Sequence, residues 1–177
     1  MKKVIFTLFF IIFIFTISWT YFYFAKTEDN LAILDFESCV ASQKIISQIY
    51  PPQCITKDGR VFVEDIGNEL EKSDLIRVSF PRPGGKIGSP FVIKGEARGY
   101  WFFEASFPVR LIDSSGVLLA QGIATAKNEW MTENFVPFEA TLLFEKPTTR
   151  NGKIILMKDN PSGLKEHDDS LEIPVIF

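Results

Sequence analysis

The chain has 177 residues, of which 19 are basic and 22 are acidic, with one histidine and two cysteines. Its net charge of −3 leaves no basic stripe that could neutralise a phosphate backbone, which argues against a nucleic-acid partner. Two cysteines and one histidine do not supply the four ligands of a typical structural zinc site.

The N-terminal segment, residues 1–25, is predicted to be a transmembrane signal-anchor. Residues 4–25 form 22 consecutive uncharged positions, and as a helix they would extend roughly 33 Å, enough for a hydrocarbon core of about 30 Å. Lys2 and Lys3 precede the run, and Glu28 and Asp29 follow it. The positive-inside rule then places the N-terminus in the cytoplasm and the rest of the chain outside a cell membrane that it crosses once.

A cleaved signal peptide is the alternative interpretation of this segment, because a charged start and an apolar centre fit both. The apolar run is longer than a usual signal core, and no small-x-small cleavage site follows it. Ser18-Trp19-Thr20 and Tyr23-Phe24-Ala25 both carry bulky rings. An uncleaved anchor is therefore favoured.

A stalk at 26–35 is predicted to lead into a small disulfide unit at 36–65. Both cysteines, Cys39 and Cys54, lie in the exported part, where a disulfide can persist. Closing a loop of about 15 residues stabilises by roughly 3 kcal/mol; two free thiols are the alternative. A helix is predicted to start at Ser38 and to stop at Pro51-Pro52, and Asp58-Gly59 predicts a tight turn.

The remaining chain predicts a linker at 66–73 and an all-β domain at 74–177. Seven segments separated by Gly, Pro and Asn turn signals have strand character: DLIRVSF, PFVIKGEAR, FPVRLID, VLLAQGIATA, VPFEATLLFE, GKIILMKDN and LEIPVIF. Phe138, Ala140, Leu142 and Phe144 alternate with polar or outward residues, as one buried face of a strand requires. Seven short strands over about 100 residues indicate an immunoglobulin-like β-sandwich.

Four consecutive aromatics, Tyr100 to Phe103, interrupt this alternation after Gly99. We expect a surface for a ligand or partner here, because Trp and Tyr offer large contact areas at low entropic cost. The residues expected to form it are Tyr100, Trp101, Phe103, Trp130 and Met131. The alternative is that Phe102 and the two tryptophans plug the open end of the sandwich.

No catalytic residues, cofactor or metal are predicted. The chain has no G-x-S-x-G, H-E-x-x-H, Walker-type glycine loop or C-x-x-C. His167 lies in the acidic stretch KEHDDS, where it is expected to be solvated. Asp159, Glu166, Asp168 and Asp169 do not match the spacing of an EF-hand loop. A catalytic pair of carboxylates of the glycosidase type remains an alternative, because the distance between the two carboxylates depends on the fold.

The order of motifs resembles the immunoglobulin-like domain of bacterial spore germination over roughly residues 75–177. The resemblance rests on the runs SPFVIKGEARG, WFFEASFPV, WMT and NPSG. It implies a seven-stranded sandwich outside the cytoplasm and brings no catalytic residues. A weaker, partial similarity to Kazal-type protease inhibitors covers residues 49–64, but that family needs several disulfides to hold its binding loop.

These observations predict a membrane-anchored, extracytoplasmic binding or scaffold module of the bacterial cell envelope. Its expected partner, apart from the membrane that holds the anchor, is an envelope protein or cell-wall glycan, and the family resemblance implies a link to spore germination. One alternative is a purely structural spacer in an envelope complex. A second is inhibitor-like activity of the cysteine unit.

Overall fold

The computed structural model describes residues 33–43, 46–47 and 49–177. Contacts divide the chain into two compact units, which meet between Val63 and Glu64. The predicted anchor at 1–25 and most of the predicted stalk lie outside the described residues. Within the described ranges, no helix is both long and apolar enough to cross a membrane.

The smaller unit, described from Ile33 to Val63, contains one helix and one hairpin. Helix α1 spans Phe36–Gln43, strand β1 spans Gln53–Ile55 and strand β2 spans Val61–Val63. The predicted Cys39–Cys54 disulfide is confirmed, with 6.0 Å between the two Cα atoms and both side chains fully buried. The predicted turn at Asp58-Gly59 joins the two strands, and Gly59 adopts φ 84° there.

Helix α1 begins earlier than predicted, because Asp35 rather than Ser38 caps it. The carboxylate of Asp35 accepts from the Ser38 amide at 2.8 Å, and the Ser38 hydroxyl accepts from the Asp35 amide at 3.1 Å. These reciprocal bonds satisfy amides that the first helical turn leaves free. The helix also does not continue to Pro51 as predicted, since Ile46 already pairs with Cys54 in an antiparallel bridge.

The larger unit, Glu64–Phe177, is built mainly of strands. A single helical turn, α2, spans Glu69–Lys72 within the stretch predicted as a linker. The strands that follow are β3 Ile76–Phe80, β4 Gly85–Lys86, β5 Phe91–Arg98, β6 Ser106–Asp113, β7 Leu118–Ala126, β8 Phe135–Leu142, β9 Asn151–Met157 and β10 Ser170–Ile176. All seven predicted strand segments are present, and the two-residue strand β4 is additional.

The eight strands form one curled sheet in the order β3-β5-β8-β7-β6-β9-β10-β4. Strand β7 pairs with β6 along most of its length but with β8 only through Thr125↔Glu139 and Ala126↔Phe138. At the edges, β3 runs antiparallel to β5, whereas β4 runs parallel to β10. Strands β3 and β4, which follow each other in the chain, therefore lie at opposite edges of the sheet. The sheet folds into the two layers of an immunoglobulin-like sandwich.

The core lies between these two layers and follows the predicted alternation. Phe138, Ala140 and Leu142 of β8 are buried, and so are Phe107, Val109 and Leu111 of β6. The Phe107 and Phe138 rings meet edge to face with centroids 4.9 Å apart, which joins β6 of one layer to β8 of the other. Fully burying a side chain of this size stabilises by about 1.5–3 kcal/mol.

Residues 66–73 pack against the sandwich through polar contacts. The Asn68 side chain donates to the Ser170 carbonyl at 2.9 Å and accepts from the Glu172 amide at 2.8 Å, as a neighbouring strand would. The carboxylate of Glu69, which is buried, accepts hydrogen bonds from both terminal nitrogens of Arg82 at 2.5 and 3.0 Å. The two-pronged geometry is the strong form of a carboxylate–guanidinium pair.

Candidate functional site

Three loops meet at one end of the sandwich, which we call the loop end: residues 99–105 between β5 and β6, 127–134 between β7 and β8, and 158–169 between β9 and β10. The Gly99 amide donates to the Asn134 carbonyl at 3.2 Å, which ties the first loop to the second. The Asp159 amide donates to the Trp101 carbonyl at 3.0 Å, which ties the third loop to the first. Backbone bonds thus hold the three loops to one another.

Gly99 is required for this arrangement. A Cβ atom at this position would lie 1.9 Å from the carbonyl oxygen of Thr132 and 2.2 Å from that of Trp130. Both obstacles are backbone atoms, so a flexible side chain cannot move aside to make room. The absence of a side chain at Gly99 lets the first two loops approach each other closely.

The four consecutive aromatics are divided between the core and the surface. Gly99–Trp101 forms a 3₁₀ turn instead of a strand, so the strict alternation of a strand does not apply there. Trp101 is 0% exposed and Phe102 is buried against Phe107, with ring centroids 5.2 Å apart. The expectation that Trp101 forms part of a surface is therefore wrong, because its ring fills the end of the core.

The outward aromatics are Tyr100 and Phe103, and a strained turn follows Phe103. Phe103 and Ser106 exchange two backbone hydrogen bonds, at 3.0 and 3.1 Å, which closes a two-residue turn. Its central residues, Glu104 and Ala105, have φ of 49° and 61°, the left-handed region that side chains disfavour. This turn holds the Phe103 backbone in place at the surface.

Of the two residues of the second loop that were expected at the surface, one is exposed to solvent and the other is half-buried. Trp130 is half-buried and packs against the core, so it serves in part as a plug of the open end, which is the alternative interpretation of these aromatics. Met131 is exposed, and its amide donates to the Glu129 carboxylate at 3.2 Å. Of the five residues expected to form the surface, Tyr100, Phe103 and Met131 are exposed, whereas Trp130 is half-buried.

The third loop adds Leu164, which our sequence reasoning missed. This residue follows Gly163 in an otherwise polar stretch, and that contrast was the available signal. Its carbonyl accepts from the Asn160 side chain at 2.8 Å. We define the loop-end surface by its four exposed apolar side chains and their exposed fractions: Tyr100 (51%), Phe103 (42%), Met131 (74%) and Leu164 (51%).

Several polar side chains of the third loop form hydrogen bonds within it, and one forms an ion pair with α2. Ser162 Oγ lies 3.1 Å from His167 Nδ1, but it also donates to Asn160 Oδ1 at 2.6 Å and accepts from the Leu164 amide at 3.2 Å. Asp168 accepts from Asn160 at 2.7 Å, and Lys72 pairs with Asp169 at 2.6 Å. Among the described residues, no group of three His, Cys, Asp or Glu side chains is placed to hold a metal ion.

A comparison with protein families identifies the larger unit. A family model for the immunoglobulin-like domain of bacterial spore germination matches residues 75–164, just over half of the chain. The chain belongs to this family. No curated protein and no solved structure matches the chain.

The match to the spore-germination immunoglobulin-like domain confirms the resemblance seen in the sequence over residues 75–164. It begins one residue before β3 and ends at Leu164, so it includes both of the first two loops and part of the third. Strand β10 follows the matched range and completes the sheet of this domain by pairing with β9 and β4.

Proposed function

We propose that this immunoglobulin-like spore-germination domain is the binding part of a membrane-anchored, extracytoplasmic module of the bacterial cell envelope. The loop-end surface contacts another envelope protein, and the role is one of binding and scaffolding without a catalytic step. The family description supports a germination-related or structural role. The observation that carries the proposal is the set of four exposed apolar side chains on three interlocked loops.

The energetics of the loop-end surface favour a binding role over that of a spacer. Exposed apolar side chains gain roughly 25 cal/mol for each Å² that a partner removes from water. Because backbone hydrogen bonds join the three loops, little additional ordering would be needed on binding, and preorganisation of this kind raises affinity. The loops at one end of an immunoglobulin-like sandwich are also the part that binds in variable domains.

Two features of the chain support the membrane-anchored, extracytoplasmic location. The uncharged run at 4–25 follows Lys2 and Lys3, as in a helix whose N-terminus stays in the cytoplasm. The Cys39–Cys54 disulfide is typical of an oxidising compartment. Protease added to intact protoplasts should digest the larger unit, and survival of that unit would contradict the proposed location.

The proposed surface can be tested by crosslinking the full chain to envelope proteins. Phe103→Ser with Met131→Ser should abolish the crosslinked product, because the two substitutions remove apolar area from two of the three loops. The matched control is Val117→Ser with Leu143→Ser, two exposed apolar residues at the opposite end of β6, β7 and β8. The control variant should keep the product at the level of the unsubstituted chain.

Equal crosslinking by both variants would contradict the proposed surface. It would instead favour the spacer, whose contacts lie elsewhere on the sandwich. The same variants tested on purified peptidoglycan distinguish the other partner class. Binding to peptidoglycan that is lost only in the loop-end variant would replace the envelope protein by a glycan as the partner.

A further inference from the structure

The hairpin of the smaller unit has one apolar face. Ile55 pairs with Val61, and Gln53 pairs with Val63, so these four side chains project from the same face of the two strands. Cys54 and Phe62 pair with each other and project from the other face. Three of the four side chains on the first face are β-branched and apolar. We call Ile55, Val61 and Val63 the hairpin face.

The hairpin face is open to solvent. Ile55 is 42% exposed, Val61 is 52% exposed and Val63 is 50% exposed. Helix α1 lies on the opposite side, because its Cys39 is bonded to Cys54, which projects away from the hairpin face. The small unit also exposes further large apolar side chains, namely Leu34, Ile46, Ile49 and Tyr50. This is a high apolar exposure for a unit of this size.

The chain enters this unit on the side of α1, across the hairpin from the hairpin face. Arg60 donates from Nη1 to the carbonyl oxygen of Ile33 at 3.1 Å, and the Arg60 guanidinium lies over the ring of Phe62, which projects away from the hairpin face. The uncharged run ends at Ala25, so residues 26–32 alone separate it from Ile33. Seven residues reach at most about 25 Å when fully extended. If the run at 4–25 spans a bilayer, the smaller unit that carries the hairpin face is held within this distance of the lipid surface.

We propose that the smaller unit docks on the outer surface of the lipid bilayer through the hairpin face. This inference rests on the membrane anchor of the proposed function. The short tether makes contact with lipid an intramolecular event, so the bilayer is present at a high effective concentration. Branched apolar side chains gain by entering the boundary between headgroups and acyl chains.

The experiment uses the full chain reconstituted in phosphatidylcholine–phosphatidylglycerol vesicles whose acyl chains carry bromine, a short-range quencher of tryptophan fluorescence. All chains carry Trp19→Phe, which removes the tryptophan of the uncharged run, and the fluorescence of Trp101 and Trp130, measured in the chain with Trp19→Phe alone, is subtracted from that of each probe. The probe is Val61→Trp on the hairpin face. The matched control is Ala41→Trp, an exposed position on α1 in the same unit but on the other side of the hairpin.

The expected result is several-fold stronger quenching of the probe at residue 61 than of the probe at residue 41. Adding Val63→Thr, which keeps the branched shape but adds a hydroxyl group, should reduce quenching at residue 61 and leave residue 41 unchanged. Equal quenching of both probes would overturn the inference. A blue-shifted but unquenched signal at residue 61 would also overturn it, because the face would then be covered by protein such as a second copy.

Failure of the anchor gives a different result from failure of the hairpin contact. Washing the vesicles with alkaline carbonate releases chains that are not inserted in the bilayer. Release of the chain overturns both the anchor and the inference that depends on it. Retention of the chain together with equal quenching of the two probes leaves the anchor in place and overturns only the lipid contact of the hairpin face.

Discussion

Trp101 joins the core of the sandwich to the loop end. Its ring is fully buried, and its carbonyl oxygen accepts from the Asp159 amide of the third loop. Among the described residues, the indole Nε1 has no hydrogen-bond partner, which is rare for a buried donor. The side chain therefore stabilises by its volume, while its polar atom costs about 1–3 kcal/mol.

Two substitutions of Trp101 should separate these effects. Trp101→Ala should lower the free energy of unfolding by roughly 3–5 kcal/mol, because it leaves a large cavity. Trp101→Phe should cost much less, since a ring still fills the site and the unpartnered N–H group is gone. Urea unfolding of the full chain measures both values. An equal loss in the two variants would contradict this separation, because a phenyl ring that fills the site without the unpartnered N–H group should cost much less than a cavity.

The turn at Glu104-Ala105 stores strain beside the loop-end surface. Two consecutive left-handed residues with side chains cost roughly 1–2 kcal/mol each. Asn-Gly is the preferred pair for a two-residue turn with both φ values positive. Glu104→Asn with Ala105→Gly should therefore raise the free energy of unfolding by about 1 kcal/mol, after the added chain entropy of glycine is subtracted.

Thermal unfolding measures this gain, and Ala105→Val provides the opposite control. Valine is branched at Cβ and fits the left-handed region badly, so its variant should melt at a lower temperature than the unsubstituted chain. A melting temperature unchanged in both variants would mean that Ala105 does not hold a positive φ in solution. The strained turn would then not fix the backbone that presents Phe103.

The elements also show which parts of the fold can be predicted from sequence. Several of the seven long strands alternate between apolar and polar residues, and residues such as Phe107, Val109 and Leu111 point into the core as that period requires. Strand β4 has two residues, which is too short for any period. Trp101 and Phe102 were harder to assign because a 3₁₀ turn buries neighbouring side chains together.

The candidate site was less predictable than the fold for a related reason. The exposed fraction of a side chain in a loop depends on which other loops pack against that loop. At Gly99 these contacts are made by the backbone of Trp130 and Thr132, which are distant in sequence. Composition alone identified Met131 and Tyr100 as candidates but gave equal weight to Trp101. The hairpin face of the smaller unit has the same origin, because only the register of β1 and β2 shows that Ile55 and Val61 share a side.

At the scale of the whole molecule, the two units are stabilised by different means. The larger unit has a continuous apolar core between two layers of strands, whereas the described residues of the smaller unit form two short strands, one helix and a disulfide. A two-stranded hairpin is at best marginally stable by itself in water. The Cys39–Cys54 bond should therefore supply much of the stability of the smaller unit, and almost none of that of the sandwich core.

Replacing both cysteines by serine tests this division. The bond joins residues separated by 15 positions, and closing such a loop stabilises by about 3 kcal/mol. Hydrogen exchange at the Thr56 amide, which donates to the Arg60 carbonyl at 2.9 Å, should accelerate by about two orders of magnitude, because each 1.4 kcal/mol is tenfold. Amides of β5 and β8 provide the internal control and should keep their rates. Unchanged exchange at Thr56 would mean that packing within the hairpin and α1 keeps the smaller unit folded without the covalent bond. Faster exchange in β5 and β8 as well would mean that the sandwich depends on the smaller unit for its stability.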